Sequence, residues 1–215
     1  MGPAPSRSAL DFFPASRDLV SLRSAAAGCE GCDLYLAATR TVFGEGDPGA
    51  AVMLVGEQPG DEEDVEGRPF VGPASRELDE ALQRAGLDRS SVWVTNVVKH
   101  FKNVPRGARR MHVKPSMLEV RACRPWLDAE IELVEPDVVV LLGATAAQAV
   151  LGRSFRMTRS RGEWAAFDGR RALATWHPSA ILRAPEREDR HRMRAELAED
   201  LSKVAAALAG GTRGP

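Results

Sequence analysis

Four short apolar runs, Ala50–Gly56, Val92–Val98, Asp137–Gly143 and Arg171–Trp176, constrain this chain more than any other feature. They are too short to be helices and too uniformly apolar to be strands wetted on one face. This is the pattern of parallel strands covered on both sides. Helical stretches accompany them. Ala74–Ala85 places Leu78, Leu82 and Ala85 on one face, Ser116–Val134 carries Leu118, Ala122, Trp126 and Leu127, and Ala144–Leu151 opens directly after a glycine. The alternation predicts a three-layer αβα fold of the α/β class: a central four-stranded, mostly parallel sheet with helices on both faces and right-handed crossovers. Ligands of such sheets bind beyond the carboxyl ends of the strands. The loops 57–64, 96–100, 143–144 and 177–183 then meet in one place.

At 215 residues the chain is the size of one domain. Residues 1–27 read as a lead-in with one helix around Ser16–Ala27, residues 28–208 as the domain, and residues 209–215 as a flexible tail. Arg161–Asp168 reads as a small antiparallel excursion before the last strand, and Glu186–Leu208 as a terminal helix. No run approaches the ~18 apolar residues of a membrane helix, and the opening has no apolar secretion segment, so a cytoplasmic monomer is expected. Met1-Gly2 with Ser6 matches a myristoylation pattern only loosely.

Three cysteines exclude a disulfide-stapled scaffold. Cys29 and Cys32 stand one turn apart, a spacing that suits a metal, one corner of an iron–sulfur cluster, a redox pair or simply two buried thiols. If there is a metal, Cys123 is the third ligand and His100 the candidate fourth.

The net charge of −1 removes any argument from a globally basic chain. Locally the balance differs. Between Val97 and Leu118 there are six cations, Lys99, Lys102, Arg106, Arg109, Arg110 and Lys114, two histidines and no acid. A long basic loop at the ligand-binding edge points to a nucleic-acid backbone.

Two further segments carry chemistry. Gly56-Glu57-Gln58-Pro59-Gly60-Asp61-Glu62-Glu63-Asp64 followed by Gly67-Arg68-Pro69-Phe70-Val71-Gly72 fixes a tight turn, a carboxylate at a strand end and a presented aromatic. Its acidic cluster fits a helix N-terminus more simply than a Mg²⁺ site. The second, Trp176-His177-Pro178-Ser179-Ala180-Ile181-Leu182-Arg183, places a histidine at a strand end beside apolar residues able to wedge into a base stack.

Together these segments resemble the uracil-DNA glycosylase superfamily, in its iron–sulfur family-4 form. GEQPGDEEDVEGRPFVG, VTNVVK and WHPSAILR correspond in order to that family's three motifs, over roughly residues 28–185. His100 departs from the family, which has cysteine there. Arg109-Arg110-Met111-His112 resembles the R-R-I-H loop of the UdgX subgroup, known for capturing uracil-containing DNA covalently, and Glu57-Gln58 matches that subgroup's GEQPG. The resemblance implies that Phe70 stacks on a flipped uracil and Asn96 reads its Watson–Crick edge. His177 contacts uracil O2, with Ser179 beside it, and Ile181 and Leu182 fill the gap in the duplex. Gln58, Gly60 and Asp61 lie against the substrate, and Arg109 and Arg110 pin phosphates. Cys29, Cys32, His100 and Cys123 hold a [4Fe-4S] cluster.

The chemistry needs donors at a departing base and a carboxylate or nucleophile at C1′, because cleavage leaves an anionic base and an oxocarbenium-like sugar. Glu57 supplies the carboxylate; a neutral His112 imidazole would attack C1′ in place of water. The expected partner is uracil-containing DNA, and the expected activity a single-turnover excision. A multiple-turnover glycosylase and a redox-sensing DNA-binding protein are the alternatives.

Overall fold

A computed structural model describes residues 7–107 and 109–211; the myristoylation pattern and the end of the tail lie outside them. The strands are β1 (Glu45–Gly46), β2 (Val52–Gly56), β3 (Val92–Asn96), β4 (Asn103–Arg106), β5 (Arg109–His112), β6 (Val138–Leu142), β7 (Trp164–Phe167) and β8 (Arg170–Thr175). The helices are α1 (Leu19–Ala26), α2 (Asp61–Glu66), α3 (Ala74–Ala85), α4 (Met117–Val134), α5 (Ala144–Leu151), α6 (Met157–Ser160), α7 (Pro178–Arg183) and α8 (Arg187–Ala209). None of them is long and apolar enough to cross a membrane.

The main sheet runs β1-β3-β2-β6-β8-β7. Its four central strands are parallel and are the four apolar runs. The expected count of four is corrected to six, because β1 and β7 add antiparallel edges. The excursion before the last strand is β7. Residues along each central strand divide between two cores by their period of two. Met53, Val55, Val139 and Leu141 face α1, α4 and α5; Val52, Leu54, Val138 and Val140 face α3, α7 and α8. Burial of each such side chain contributes roughly 1.5–3 kcal/mol.

Residues of the lead-in pack into the first core: Ala9, Leu22 and Ala26 are buried and Phe13 stacks on Trp126 at 4.5 Å. The basic loop is a hairpin, β4 paired antiparallel with β5 around a turn at Gly107. Its cations do not all face solvent. Lys99 is 0% exposed, with Nζ 2.5 Å from Glu130 and donating also to Thr95 Oγ1 and the Asn96 carbonyl. Lys102 pairs with Glu119 at 2.9 Å. Arg106, Arg109 and Lys114 are the ones left exposed and without an ion pair among the described residues.

Candidate active site

A cleft of about 730 Å³ opens at the carboxyl ends of β3, β2, β6 and β8, where the four loops were expected to meet. Asn96 ends β3 and is 1% exposed, yet among the described residues neither its amide oxygen nor its amide nitrogen has a hydrogen-bond partner. A buried amide left open in this way costs about 1–3 kcal/mol per unmet group, and it lines the cleft. Gly56, paired with Asn96 at the end of β2, makes room for it: a Cβ there would stand 2.2 Å from Asn96 Oδ1 and 2.9 Å from Phe70 Cζ.

Phe70 adopts a left-handed backbone, φ 54°, a conformation that costs a non-glycine residue roughly 1–3 kcal/mol. Glu63 holds the segment by accepting from the backbone N–H of Phe70 and from that of Gly60 at 3.1 Å. Burial raises the Glu63 carboxyl to about 7; those two N–H bonds oppose the shift. The Phe70 ring lies 6.0 Å from the His177 ring, tilted by 30°.

His177 caps α7. The Ser179 backbone N–H donates to its Nδ1 at 3.1 Å, and Ser179 Oγ lies 2.7 Å from the same nitrogen. An amide N–H only donates, so Nδ1 is the acceptor and the proton of the neutral ring sits on Nε2. Burial pushes the imidazole down to about 4, with Glu57 pulling the other way. Gly143, at φ +90°, permits this packing: a Cβ would come within 3.1 Å of His177 Cβ.

Across the cleft, His112 Nε2 lies 3.3 Å from Glu57 Oε1. Burial alone would raise the Glu57 carboxyl, but hydrogen bonds from His112 and Thr145 and the fields of His112 and His177 hold it below the usual range. The hairpin that carries His112 is tied down at its base. Gln58 donates to the Val113 carbonyl at 3.0 Å and accepts from the Lys102 N–H at 2.9 Å. Arg110 pairs at 2.5 Å with Asp61 and with buried Asp64. Gln58, Asp61 and Arg110 thus line the cleft but spend their polar groups on one another and on the hairpin.

Of the two expected wedge residues, Ile181 is 0% exposed and belongs to the second core, whereas Leu182 is 44% exposed on the cleft lip. Gly60 and Ser179 line the cleft; Arg109 lies outside its lining, on the exposed tip. Glu63 and Thr145 were missed by sequence reasoning. Glu63 was hidden in an acidic run, and the one cue for Thr145 was its place in the first turn of the helix that follows the strand-end glycine.

The three cysteines lie on the opposite face of β3 from α3, in the first core. The thiol of Cys29 acts electrostatically on Cys32, and both act on Cys123; the Lys99 N–H donates to Cys123 Sγ at 3.2 Å and Trp126 Nε1–H donates to Cys29 Sγ at 3.3 Å. His100 shares a small cavity with Cys29, but its Nε2 is 2.8 Å from Thr41 Oγ1. Burial lowers His100 to about 4. As the side chains stand, no group of three or more His, Cys, Asp and Glu among the described residues is set to hold a metal ion.

Residues 43–202 match the profile of the uracil DNA glycosylase superfamily. The type-4 uracil-DNA glycosylase of Thermotoga maritima is 39% identical over 180 residues, 82% of this chain and 87% of that protein. The type-4 enzyme of Pyrobaculum aerophilum is 36% identical over 86% of this chain and 92% of its own length, and the type-5 uracil-DNA glycosylase of Thermus thermophilus is 32% identical over 65% and 69%. With an orphaned amide, a presented aromatic ring and a neutral histidine gathered at the ends of its parallel strands, the chain belongs to the uracil-DNA glycosylase superfamily and, within it, to the type-4 family.

Proposed function

We propose that the protein excises uracil from DNA and that His112 captures the resulting sugar, giving a covalent, single-turnover product. The observation that carries the second half is the position of His112 on a braced hairpin, 3.3 Å from the Glu57 carboxylate inside the cleft. The two unmet hydrogen-bonding groups of Asn96 match the adjacent O4 acceptor and N3–H donor of uracil, and Phe70 offers a stacking face. His177, neutral and protonated on Nε2, donates to O2. Leu182 fills the space the flipped nucleotide leaves, with Ile181 supporting it from the core.

As the C1′–N1 bond breaks, its electron pair leaves with the base, and the donors from Asn96 and His177 stabilise the uracil anion. Glu57 stays ionised and offsets the charge on the oxocarbenium-like sugar. An unprotonated ring nitrogen of His112 gives its lone pair to C1′, forming a C–N bond. The remaining ring proton passes to Glu57 or to solvent, so the ring ends neutral and is a poor leaving group.

Cys29, Cys32, Cys123 and His100 are the residues that would hold a [4Fe-4S] cluster. The mutual approach of the three thiols, the N–H groups donating to two of the sulfurs and a neutral imidazole on the same cavity support that assignment. Bound there, the cluster would cross-link the amino-terminal segment, the chain after β3 and α4.

Denaturing gels with uracil-containing DNA test the capture. The wild type should give a shifted adduct that maps to the His112 peptide. His112→Ala should lose the adduct yet release uracil through water. An undiminished adduct with His112→Ala refutes the capture; abasic DNA without adduct from the wild type returns the protein to ordinary multiple-turnover excision.

A further inference from the structure

Half of the six cations between Val97 and Leu118 are committed elsewhere: Lys99 to Glu130, Lys102 to Glu119 and Arg110 to Asp61 and Asp64. Three remain for phosphates, all on the flank that leaves β3. The opposite flank has its own supply. From residue 138 to residue 162 there is no acid, and four arginines fall within residues 153–161. Arg161 is spent on Asp200 and Glu196. Arg153, Arg156 and Arg159 are exposed, and among the described residues none of them forms an ion pair. Arg156 donates only to the carbonyls of Arg153 and Phe155, which orients the guanidinium without cancelling its charge.

Their place in the fold ties them to the cleft. Arg156 and Arg159 flank Met157, whose side chain lines it, and α6 packs against β8. The hairpin follows β3, three strand spacings away in the order β3-β2-β6-β8, roughly 14 Å at ~4.8 Å per spacing. Arg183, also exposed and without an ion pair among the described residues, lines the cleft as well. Several surface arginines elsewhere have carboxylate partners, as in Arg84–Glu80, Arg124–Asp128 and Arg194–Glu77, whereas Arg76 and Arg187 are exposed without an ion pair among the described residues but lie apart from the cleft lining. Cations left unpaired on both sides of one cleft make a charged track with the base pocket in its middle.

We propose that Arg153, Arg156 and Arg159 form a second phosphate-binding surface, which holds the DNA strand on the side of the flipped nucleotide away from the β4–β5 hairpin. This rests on the reading of the protein as a uracil-DNA glycosylase. The hairpin grips one side of the target nucleotide and the α6 arginines grip the other, so the backbone is fixed on both sides of the bond that breaks.

The test is single-turnover reaction of uracil-containing single-stranded oligonucleotides, with the half-saturating protein concentration followed over roughly 50–200 mM salt. Replacing Arg153, Arg156 and Arg159 together by Gln should raise half-saturation about tenfold to a hundredfold and lower the log–log salt slope by about 2, from ~0.7 per lost contact. The rate at saturation should stay the same. Replacement by Lys, which keeps the charge, should restore the slope. The defect should vanish on an oligonucleotide cut back to the uracil on one side only. An unchanged slope, or an equal defect on substrates truncated from either side, overturns the proposal. If the wild type neither releases uracil nor forms an adduct, the underlying reading fails instead.

Discussion

Asn96→Leu separates what the site does for stability from what it does for recognition. Leucine and asparagine share a branched outline, so the replacement occupies the same space beside Gly56 and Phe70, although its methyl groups are bulkier than the planar amide. In the uncomplexed protein the substitution removes a buried carbonyl and a buried amino group that have no partner. Each such group costs about 1–3 kcal/mol. Allowing for imperfect fit, the variant should be more stable by roughly 1–3 kcal/mol, which for a domain of this size raises Tm by about 2–10 °C.

Recognition moves the opposite way. Two hydrogen bonds to the base disappear, and a donor that acts on developing charge is worth about 10²–10³ in rate. The second-order rate constant for uracil excision should therefore fall by at least about 10²-fold in the variant that melts later. Thermal unfolding followed by circular dichroism, beside excision kinetics on one uracil oligonucleotide, measures both. An Asn96→Leu protein that is clearly less stable than wild type would refute the reasoning, because the amide would then be satisfied in the folded state.

Two further predictions concern titration. Glu63 has a folded pKa near 7, raised by burial above the unfolded value of about 4.3, so the native state binds its proton more tightly. Its contribution to stability is present below about pH 4.3 and is lost as pH rises through 7. Glu63→Gln should flatten that fall and raise stability at pH 8 by on the order of 1–3 kcal/mol, as read by urea unfolding at pH 5 and pH 8. His177 is the reverse case. Burial lowers its folded pKa to about 4, so the native ring stays neutral as pH falls from 7 to 5, and the stability present above about 6.5 falls progressively as the unfolded chain takes up the proton, until it is gone near pH 4. Excision under saturating DNA should show no ionisation near pH 6.5 that is abolished by His177→Asn; such an ionisation would place the ring in a solvated, protonated state.

The parallel core was legible in sequence because strands covered on both faces leave an unbroken apolar signal. The edges were not. β1 is two residues long and is recruited through backbone pairing with Trp93 and Val94, which leaves no periodicity to read. Pro105 and the density of cations disguised the hairpin, because proline interrupts a strand pattern and charge reads as loop. The burial of Lys99 was hidden for another reason: its partner Glu130 lies 31 residues on, in the middle of α4, so composition within the loop gave no sign of it. In the site, Glu57, Asn96 and His177 stood out because each sits at or just after a strand end, and Phe70 because a Gly- and Pro-bounded turn presents it. The roles of Gln58 and Arg110 as braces depend on atoms brought together only by folding.

That bracing bears on how a solvent-accessible histidine could outcompete water. His112 is 44% exposed in side-chain terms, so the cleft does not exclude water from it. Capture has to win by placement. A nucleophile held in a reactive geometry reaches effective molarities of roughly 10⁵–10⁸ M, far above the concentration of bulk water. Such values require the carrier to be stiff, and the hairpin is braced at two points: Gln58 bridges its two ends at the base, and Arg110, two residues before His112, is clamped by Asp61 and Asp64. Asp64 in turn accepts from the Thr39 backbone N–H, so the clamp reaches the amino-terminal segment. The exposed tip, with Arg106 and Arg109, is left to follow the DNA backbone. On the proposed capture mechanism, the choice between capture and hydrolysis is set by how firmly β5 is anchored, and loosening the anchor should shift the outcome toward water even with the histidine intact.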